Sequence, residues 1–330
     1  MKRSVYVFSN GDVKRKDNTL YLETENGRKY VPVEAVSELL IFGEINLNKR
    51  LLEFLSRHSI IMHFFNHYGY YVGSFYPREH FNSGYMLLKQ CEHYLDSEKR
   101  LILARKFVRG AVENIRKVLS YYANRGKEVD QNLEKIENLC ISINQCRNVS
   151  ELMAVEGNVR DLYYRAFDVI LADDEFAFES RTRRPPQNRL NALISFANSL
   201  IYVFCLSEIY QTHLDPRIGF LHATNFRRFT LNLDVAEIFK PVIGDRTIFS
   251  VLNKGILKAK HFEKRLQGII LTDEGREIFV RHIDERMRTT FHHRKLGRHV
   301  SYRELIRLEL YKIQKHLMGE QEYEPFVMSW

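Results

Sequence analysis

Residues 188–202, NRLNALISFANSLIY, decide how the larger part of this chain must fold. Apolar residues recur in this stretch at the spacing of a helix and nearly surround it. They are Leu193, Ile194, Phe196, Leu200 and Ile201. Because a helix that is apolar on every side is buried, we expect this helix to run through the middle of a helical domain.

A basic loop precedes this helix. The segment RTRRPPQNR contains a proline pair, which prevents helix. Its four arginines are Arg181, Arg183, Arg184 and Arg189. Arginines in such a loop are suited to contact the phosphates of DNA, and we predict that role for all four. An ordinary exposed loop is the alternative interpretation.

Residues 214–241, LDPRIGFLHATNFRRFTLNLDVAEIFKP, gather the residue types of a metal site. His222 ends an apolar run, and Asp234 and Glu237 are three residues apart, so a helix would present both carboxylates on one face. One imidazole and clustered carboxylates suit a divalent cation of intermediate hardness.

A structural interpretation of the same residues is also open. Residues 229–233 alternate like a short strand, and Pro241 is a signal for the end of an element. Asp234 and Glu237 match a capping box, and a histidine in apolar surroundings is more often a core residue than a ligand. A metal site therefore needs a third ligand.

Glu156 is the candidate for that ligand. It lies among apolar neighbours in SELMAVEGNVRDLYYRAF, a predicted helix that Ser150 can cap. Gly157 follows it, and a glycine in a helix interior costs about 1 kcal/mol relative to alanine. A close approach of backbone or of a ligand would explain the glycine, whereas an exposed surface glutamate is the alternative.

Composition and charge indicate a polyanion partner. The 330 residues include 50 Lys and Arg against 41 Asp and Glu, which gives a net charge of +9. Residues 281–316 alone hold 10 basic and 4 acidic side chains. This balance is typical of nucleic-acid binding, although a solvated helical face has a similar composition.

Other features of the composition limit the class of protein. No stretch of about 18 apolar residues predicts a membrane span, and no signal peptide precedes the first strand, so we expect a soluble cytoplasmic protein. The four cysteines form no C-x-x-C pair. The sequence therefore predicts neither a zinc ribbon nor a disulfide framework.

The hydrophobic period changes near residue 80. Before it, short β-branched and aromatic runs are separated by the turn signals NGD, KDN and ENG, which predict hairpins, with one helix over residues 46–58. After it, helical spacing dominates. The predicted helices cover residues 84–124, 128–146, 149–176 and 188–213.

Several segments together resemble one known family. They are KDNTLYLE, VPVEAVSELLIFG and FFNHYGYYVGSFYPRE in the first domain, and RPPQNRLNALISFANSLIY, LDPRIGFLH and LNLDVAEIFKP, preceded by the Glu-Gly helix, in the second. In this order they are similar to the landmarks of the CRISPR-associated integrase and endonuclease family of spacer acquisition. The resemblance covers almost the whole chain.

The resemblance implies a fold and an assembly. The expected fold class is α+β, with a mostly-β, sandwich-like dimerisation domain over residues 1–80 and an all-α catalytic domain over residues 81–330. The expected partners are a second copy of the chain, the family's small ferredoxin-like subunit, and double-stranded DNA as both incoming spacer and repeat target.

The resemblance also implies site residues. The family's metal ligands fall on Glu156, His222 and Glu237, although the third is often aspartate in the family. Asp234 matches the preceding conserved acid and would act in catalysis by orienting the cluster or by binding metal through water. The implied ion is Mn²⁺ or Mg²⁺, and the histidine favours Mn²⁺. The implied reaction is attack of a DNA 3′-hydroxyl on a phosphodiester.

Two other classes of protein stay open on the sequence. A non-catalytic architectural DNA-binding protein would have the same charge. A tyrosine recombinase is disfavoured because such enzymes commonly carry an H-x-x-R motif, and none of the 13 histidines has arginine three residues later.

The implied dimer is directly measurable. Because the family resemblance implies that the first domain joins two copies, light scattering at micromolar concentration is expected to give twice the chain mass of 39.3 kDa. A monomer at that concentration would contradict the prediction.

Overall fold

Two structural units make up the chain, residues 1–82 and residues 83–330, and their boundary lies close to the one predicted between residues 80 and 81. The computed structural model describes residues 2–24, 27–77, 81, 83–183, 185–224, 229–266, 268–293 and 296–329. Each unit has its own secondary structure and core, and the two are taken in turn.

The first unit contains eight described strands and one helix. They are β1 (Arg3–Val7), β2 (Gly11–Lys16), β3 (Thr19–Thr24), β4 (Gly27–Pro32), β5 (Val36–Ile41), β6 (Ile45–Asn46), α1 (Lys49–Arg57), β7 (Ile61–Phe65) and β8 (Tyr71–Phe75). The strands form two four-stranded sheets, one in the order β1-β5-β7-β8 and the other in the order β4-β3-β2-β6.

One apolar cluster is shared by the two sheets. Val7 and Leu39 of the first sheet, Leu20 of the second, and Phe54 of α1 belong to the same group of buried residues. Alternate residues of a strand point to one face, so each sheet supplies every second side chain to this core. The predicted sandwich-like β domain is confirmed.

The hairpin prediction is correct for β2, β3 and β4 and for the antiparallel pair β7–β8, and it is wrong for β1 and β5. Strands β2, β3 and β4 form an antiparallel meander, with Asp17 at a positive φ of 53° in the first turn. In the other sheet, β1 pairs with β5 and β5 with β7 in parallel. Parallel partners need long connections, so turn signals between neighbours in sequence cannot reveal them.

The second unit is mainly helical. Its elements are α2 (Gly84–Leu95), α3 (Ser97–Ala123), α4 (Asp130–Ser142), α5 (Val149–Leu171), α6 (Arg189–Tyr210), α7 (Leu231–Phe239), α8 (Arg246–Asn253), β9 (Phe262–Arg265), β10 (Gly268–Leu271), α9 (Asp273–Arg288), β11 (Thr290–His293), β12 (Arg298–Ser301) and α10 (Tyr302–Leu317). The strands make two short antiparallel hairpins, β9–β10 and β11–β12, beside the helices. The predicted α+β class is confirmed.

Helix α6 is the core helix that the sequence predicts. It is long and apolar enough to cross a membrane by length and composition alone, but 78% of its most apolar window is buried inside the protein. It contacts α7, α10 and β10. This central position explains why α6 is apolar on every side.

Several predicted helix limits differ from the observed ones, and side-chain caps explain two of the differences. The continuous helix over residues 84–124 is broken at Asp96, whose carboxylate accepts hydrogen bonds from the main-chain N–H groups of Glu98 and Lys99, both at 3.0 Å. Asp96 thus starts α3 as an N-cap. At the start of α5 the cap is Asn148, which accepts from Glu151 N at 2.9 Å, and the predicted cap Ser150 lies inside the helix.

The strand and stop signals near Pro241 are wrong. Residues Leu231–Phe239 form α7, and the chain continues through a π-helical segment, Lys240–Asp245, directly into α8. A proline lacks the N–H of a regular turn and clashes with the preceding carbonyl, and the wider π-helical turn accommodates both effects. Eight of the nine α7 residues are buried, so its apolar alternation does not mark a strand.

The C-terminal segment holds α7 against α3. The Asn114 side chain on α3 donates to the carbonyls of Ile238 (2.9 Å) and Phe326 (3.0 Å), and its Oδ1 accepts from Met328 N (2.8 Å). A buried amide that satisfies both segments fixes their relative position.

Gly110 on α3 allows this close packing, and its replacement tests it. An added Cβ would lie 2.6 Å from Pro325 Cβ and 3.3 Å from Ile238 Cγ1. We therefore expect Gly110→Ala to lower the free energy of unfolding by about 1–3 kcal/mol in urea denaturation.

Gly157→Ala is the matched control. The same substitution in the interior of α5 meets open space, so helix propensity predicts unchanged stability or a gain of up to about 1 kcal/mol. Wild-type stability for Gly110→Ala would contradict the proposed packing constraint.

Candidate functional site

The three predicted metal ligands come from three segments, and Arg160 links the two that carry the glutamates. Glu156 lies on α5, Glu237 on α7, and His222 in the segment before α7. Arg160, one turn after Glu156, contacts Glu156 Oε1 through Nε (3.1 Å) and Glu237 Oε2 through Nη2 (2.5 Å). His222 is close enough that its charge lowers the pKa of Glu237. The fold therefore brings the three residues into one neighbourhood.

Asp234 fixes the segment that carries His222. Its Oδ2 accepts hydrogen bonds from the main-chain N–H groups of Phe220 (2.5 Å) and Leu221 (2.9 Å). Its Oδ1 lies 3.0 Å from His222 N and 2.8 Å from His222 Nδ1. Asp234 is fully buried, and these four contacts use both of its oxygens. Of its two predicted roles, the geometry favours orientation of His222.

The contacts of Asp234 replace the capping box that the sequence allowed. The N-cap of α7 is Thr230, which makes no side-chain capping bond, and Asp234 bonds to a different segment of the chain. Gly219 is needed at this junction, because a Cβ there would lie 2.8 Å from Asp234 Oδ2 and 2.7 Å from Thr230 C.

Side chains from α2 and α3 hold the same segment from the other side. Gln90 accepts from Asp215 N (2.7 Å) and donates to Asp215 O (3.1 Å). Arg100 donates to the carbonyl of Phe220 at 2.9 Å. Hydrogen bonds therefore anchor the segment that carries His222 at Asp215 and again at Phe220.

The orientation of His222 suits a ligand. Burial acts to lower the pKa of His222, but the hydrogen bond and charge of Asp234 outweigh burial and raise it. In a metal-bound imidazole the second nitrogen usually donates to a carboxylate, which sets the tautomer. With Nδ1 turned to Asp234, Nε2 is the atom available to a ligand.

Two buried cations compensate the glutamates. Lys240 Nζ pairs with Glu237 Oε1, and Arg160 pairs with both glutamates. Burial acts to raise the pKa of Glu237, but Lys240 and then Arg160 hold it well below its usual range. For Glu156, burial and then repulsion from Glu237 raise the pKa. Two formal negative charges are thus balanced by two positive charges.

The residue types of this site suit a divalent ion, but both glutamates are paired with Arg160 or Lys240. Two carboxylates and an imidazole backed by a carboxylate suit Mn²⁺ or Mg²⁺. Over the described residues, no three His, Cys, Asp or Glu side chains converge closely enough to hold a metal as they stand. A bound ion must therefore replace ion pairs that Arg160 and Lys240 now make.

Sequence reasoning missed the residues that compensate and surround these ligands. Arg160 follows Glu156 by four residues and Lys240 follows Glu237 by three, which are the spacings of helical ion pairs and were readable signals. Asp245 had no such signal. It is buried at the end of the π-helical segment, and burial raises its pKa to about 7 against the opposing charges of Arg160 and Lys240.

The predicted DNA-binding arginines have different environments. Arg181 points inward, where Nη1 donates to Asn191 Oδ1 (2.9 Å) and Nη2 to Ser195 Oγ (3.0 Å). Arg183 is exposed, and Arg189 donates to the carbonyl of Glu175 (3.1 Å). Arg184 lies outside the described residues. Residues 181–183 and 185–188 form a loop, as predicted, whereas Arg189 begins α6, and contact of these arginines with DNA stays a prediction.

Gly157 has no close neighbour. Nothing among the described residues lies within 4 Å of a Cβ built there, so no approach of the protein's own backbone explains this glycine. Of the two reasons that the sequence suggested, the approach of a ligand stays open.

Asp234→Asn tests the fixed segment. An amide would turn an NH₂ group toward main-chain N–H donors, so we expect the free energy of unfolding to fall by about 3 kcal/mol in urea denaturation. The control is Asp161→Asn, an exposed aspartate paired with Arg165, for which a change within about 0.5 kcal/mol is expected. Equal stability of the two variants would contradict the assigned role of Asp234.

Comparison with known proteins places this chain in a family. The family model described as CRISPR associated protein Cas1 matches residues 5–285. A curated protein named CRISPR-associated endonuclease Cas1 2, from Thermodesulfovibrio yellowstonii, is 68% identical over 330 residues and is covered completely, as is this chain.

Solved structures agree. A CAS1 protein from Thermotoga maritima is 50% identical, with a TM-score of 0.87 over 98% of this chain and 100% of that one. A casposase bound to integration product has the same TM-score at 20% identity, over 98% of this chain and 93% of that one, and shares the fold. With a family model matching most of its length and a relative identical at two thirds of positions, the chain belongs to the Cas1 family of CRISPR associated proteins.

Proposed function

We propose that this protein is a metal-dependent DNA integrase and endonuclease, which inserts new spacer DNA into a CRISPR repeat array. Membership of the Cas1 family and a close relative named as an endonuclease support the reaction class. The observation that carries the proposal for this chain is that Arg160 holds Glu156 and Glu237 together, with the Asp234-oriented His222 close enough for its charge to act on Glu237.

Glu156, Glu237 and His222 are the proposed ligands of Mn²⁺ or Mg²⁺. An ion held by these residues would supply Lewis-acid chemistry at the scissile phosphate and at the leaving oxygen. Asp234 keeps the Nδ1 side of His222 occupied, so that Nε2 faces the site. Lys240 balances the negative charge of Glu237 in this buried site. The histidine favours Mn²⁺ over Mg²⁺.

The proposed reaction is a transesterification. The incoming 3′-hydroxyl loses its proton as its oxygen forms a bond to phosphorus in the repeat, the original P–O bond breaks, and the leaving oxygen takes a proton. With water as the nucleophile, the same site nicks DNA. Exposed Arg183, together with Arg181, Arg184 and Arg189, would neutralise phosphates and position the strand without reading its sequence.

The proposed assembly has three further components. They are a second copy of the chain, the small ferredoxin-like subunit that the family resemblance implies, and duplex DNA as both donor and target. The net charge of +9 supports a polyanion partner.

A non-catalytic architectural DNA-binding protein is the second candidate. One observation favours it: the glutamates are engaged by Arg160 and Lys240, and no three potential ligands in the described part of the chain converge. Such a protein would bind DNA in a salt-sensitive way and make no metal-dependent product.

A gel-based strand-transfer assay separates the two candidates. A labelled duplex is incubated with a plasmid in Mn²⁺, in Mg²⁺ and in chelator, with and without the small partner subunit. We expect a joined product that needs metal, and its loss in Glu156→Ala, His222→Ala and Glu237→Ala, because each removes a proposed ligand. DNA binding by these variants should be largely retained.

His213→Ala is the matched control, since His213 is an exposed histidine close to His222 in sequence. It should transfer strands as the wild type does. Normal transfer by any of the three ligand variants would remove that residue from the site. Binding without joining under every condition, partner included, would favour the architectural protein.

A further inference from the structure

Arg160 makes an incomplete set of contacts for a buried guanidinium. Nε donates to Glu156, and Nη2 donates to the side chain (2.5 Å) and to the main-chain oxygen (3.1 Å) of Glu237. Nη1 is buried and has no hydrogen-bond partner among the described residues. Arg160 as a whole is only 7% exposed. An unsatisfied donor on a buried cation is costly and indicates that a second arrangement is close in energy.

Two other buried polar groups without a hydrogen-bond partner lie on α5 and at the end of the π-helical segment. Asp245 Oδ2 and the Tyr163 hydroxyl are also buried and without a hydrogen-bond partner in the described structure. Asp245 ends the π-helical segment, all six residues of which are buried. The charge of Arg160 lowers the pKa of Asp245, and Asp245 raises that of Arg160, so the two side chains interact electrostatically.

We propose that Arg160 is a resident cation that leaves Glu156 and Glu237 when a divalent ion binds, and that Asp245 is the second acceptor to which its guanidinium turns. The inference rests on the proposed function, because it assumes that the two glutamates are ligands. Asp245 is then a positioning residue, which acts on the metal site only through Arg160.

Charge balance supports this exchange. Glu156 and Glu237 carry two formal negative charges, and Arg160 and Lys240 already compensate them. A divalent ion would bring two more positive charges into a buried site, where uncompensated charge is strongly unfavourable. Moving Arg160 to Asp245 frees carboxylate oxygens for the ion and pairs the displaced guanidinium with an acid. Nη1 gains the partner that it lacks.

The acid is suited to this second role because it titrates near neutrality. Burial raises the pKa of Asp245 to about 7, and the groups that act on that pKa are Arg160 and Tyr163 on α5, Lys240 on its own segment, and Glu237 on α7. Arrival of the guanidinium lowers that pKa, so the carboxyl ionises as the ion pair forms. Above the folded-state pKa the acceptor is already charged, and below it the exchange must also release a proton.

The test is a double-mutant cycle read by Mn²⁺ affinity, measured from the electron paramagnetic resonance signal of free Mn²⁺ without DNA. At about pH 8, Asp245→Asn is expected to weaken binding about tenfold, because Arg160 loses its second acceptor. Arg160→Gln should bind Mn²⁺ at least as tightly as wild type. In that background Asp245→Asn should have no further effect, since the residue through which it acts is gone.

The pH dependence separates positioning from a purely structural role. At about pH 6 the wild-type acid is mostly protonated and as neutral as asparagine, so the gap between wild type and Asp245→Asn should narrow. A merely structural defect would persist at both pH values. Glu208→Gln is the matched control, because Glu208 is a buried carboxylate with two arginine partners, Arg303 (2.7 Å) and Arg307 (2.6 Å), outside this network. Its Mn²⁺ affinity should equal that of wild type.

The possible results distinguish failure of the proposed exchange from failure of the proposed metal site. Equal affinities of wild type and Asp245→Asn at about pH 8, or an undiminished effect in the Arg160→Gln background, would overturn the exchange and leave the proposed metal site intact. A wild type that binds no Mn²⁺ would overturn both. If Asp245→Asn fails to fold, a crystal structure of the wild type with Mn²⁺ replaces it. Arg160 is expected within hydrogen-bond distance of Asp245 there, and its retention on both glutamates would contradict the inference.

Discussion

Compensation of buried charge is the constraint on which the centre of this molecule depends. Glu237 is 4% exposed and Arg160 is 7% exposed, and each would be strongly unfavourable without the other. The ion pair of Arg160 with Glu237 joins α5 to α7, and that of Lys240 joins α7 to the π-helical segment that follows. The same contacts that make the helices pack thus set where the proposed ligands lie.

A second buried carboxylate satisfies the hydrogen-bond donors of irregular backbone. Asp234 holds a segment without regular secondary structure by accepting three main-chain N–H groups and the ring of His222. Irregular backbone can be buried only if its polar groups find partners, and here one side chain supplies them. The benefit to function is that His222 presents a defined nitrogen from a short and well-anchored segment.

The π-helical turn between α7 and α8 also positions ionisable side chains near the site. Pro241 would disrupt a regular helix at this point, and the π-helical segment absorbs it while keeping Lys240 and Asp245 buried near α5. Helical segments of this kind occur often at functional sites, and the presence of two ionisable side chains on it agrees with that tendency. The Asn114 contacts hold the start of this turn through the carbonyl of Ile238.

The sequence by itself determined the fold class, the central position of α6, and which residues to suspect at the site. Helical and strand periods are local, so the change near residue 80 and the all-round apolar pattern of residues 188–202 could be read directly. The order of known landmarks along the chain was enough to group Glu156, His222, Asp234 and Glu237 as one candidate site.

Only the tertiary structure decided how those residues are held. The parallel pairing of β1 with β5, and the four contacts of Asp234 with residues 12 to 14 positions earlier, depend on chain segments that meet in space without any local signal. The apolar alternation of residues 229–233 suggested a strand. In the folded protein nearly all of α7 is buried, so this alternation does not mark one face of a strand. The buried acid Asp245 and the unsatisfied nitrogen of Arg160 are properties of packing, because desolvation and missing partners exist only once the chain has folded.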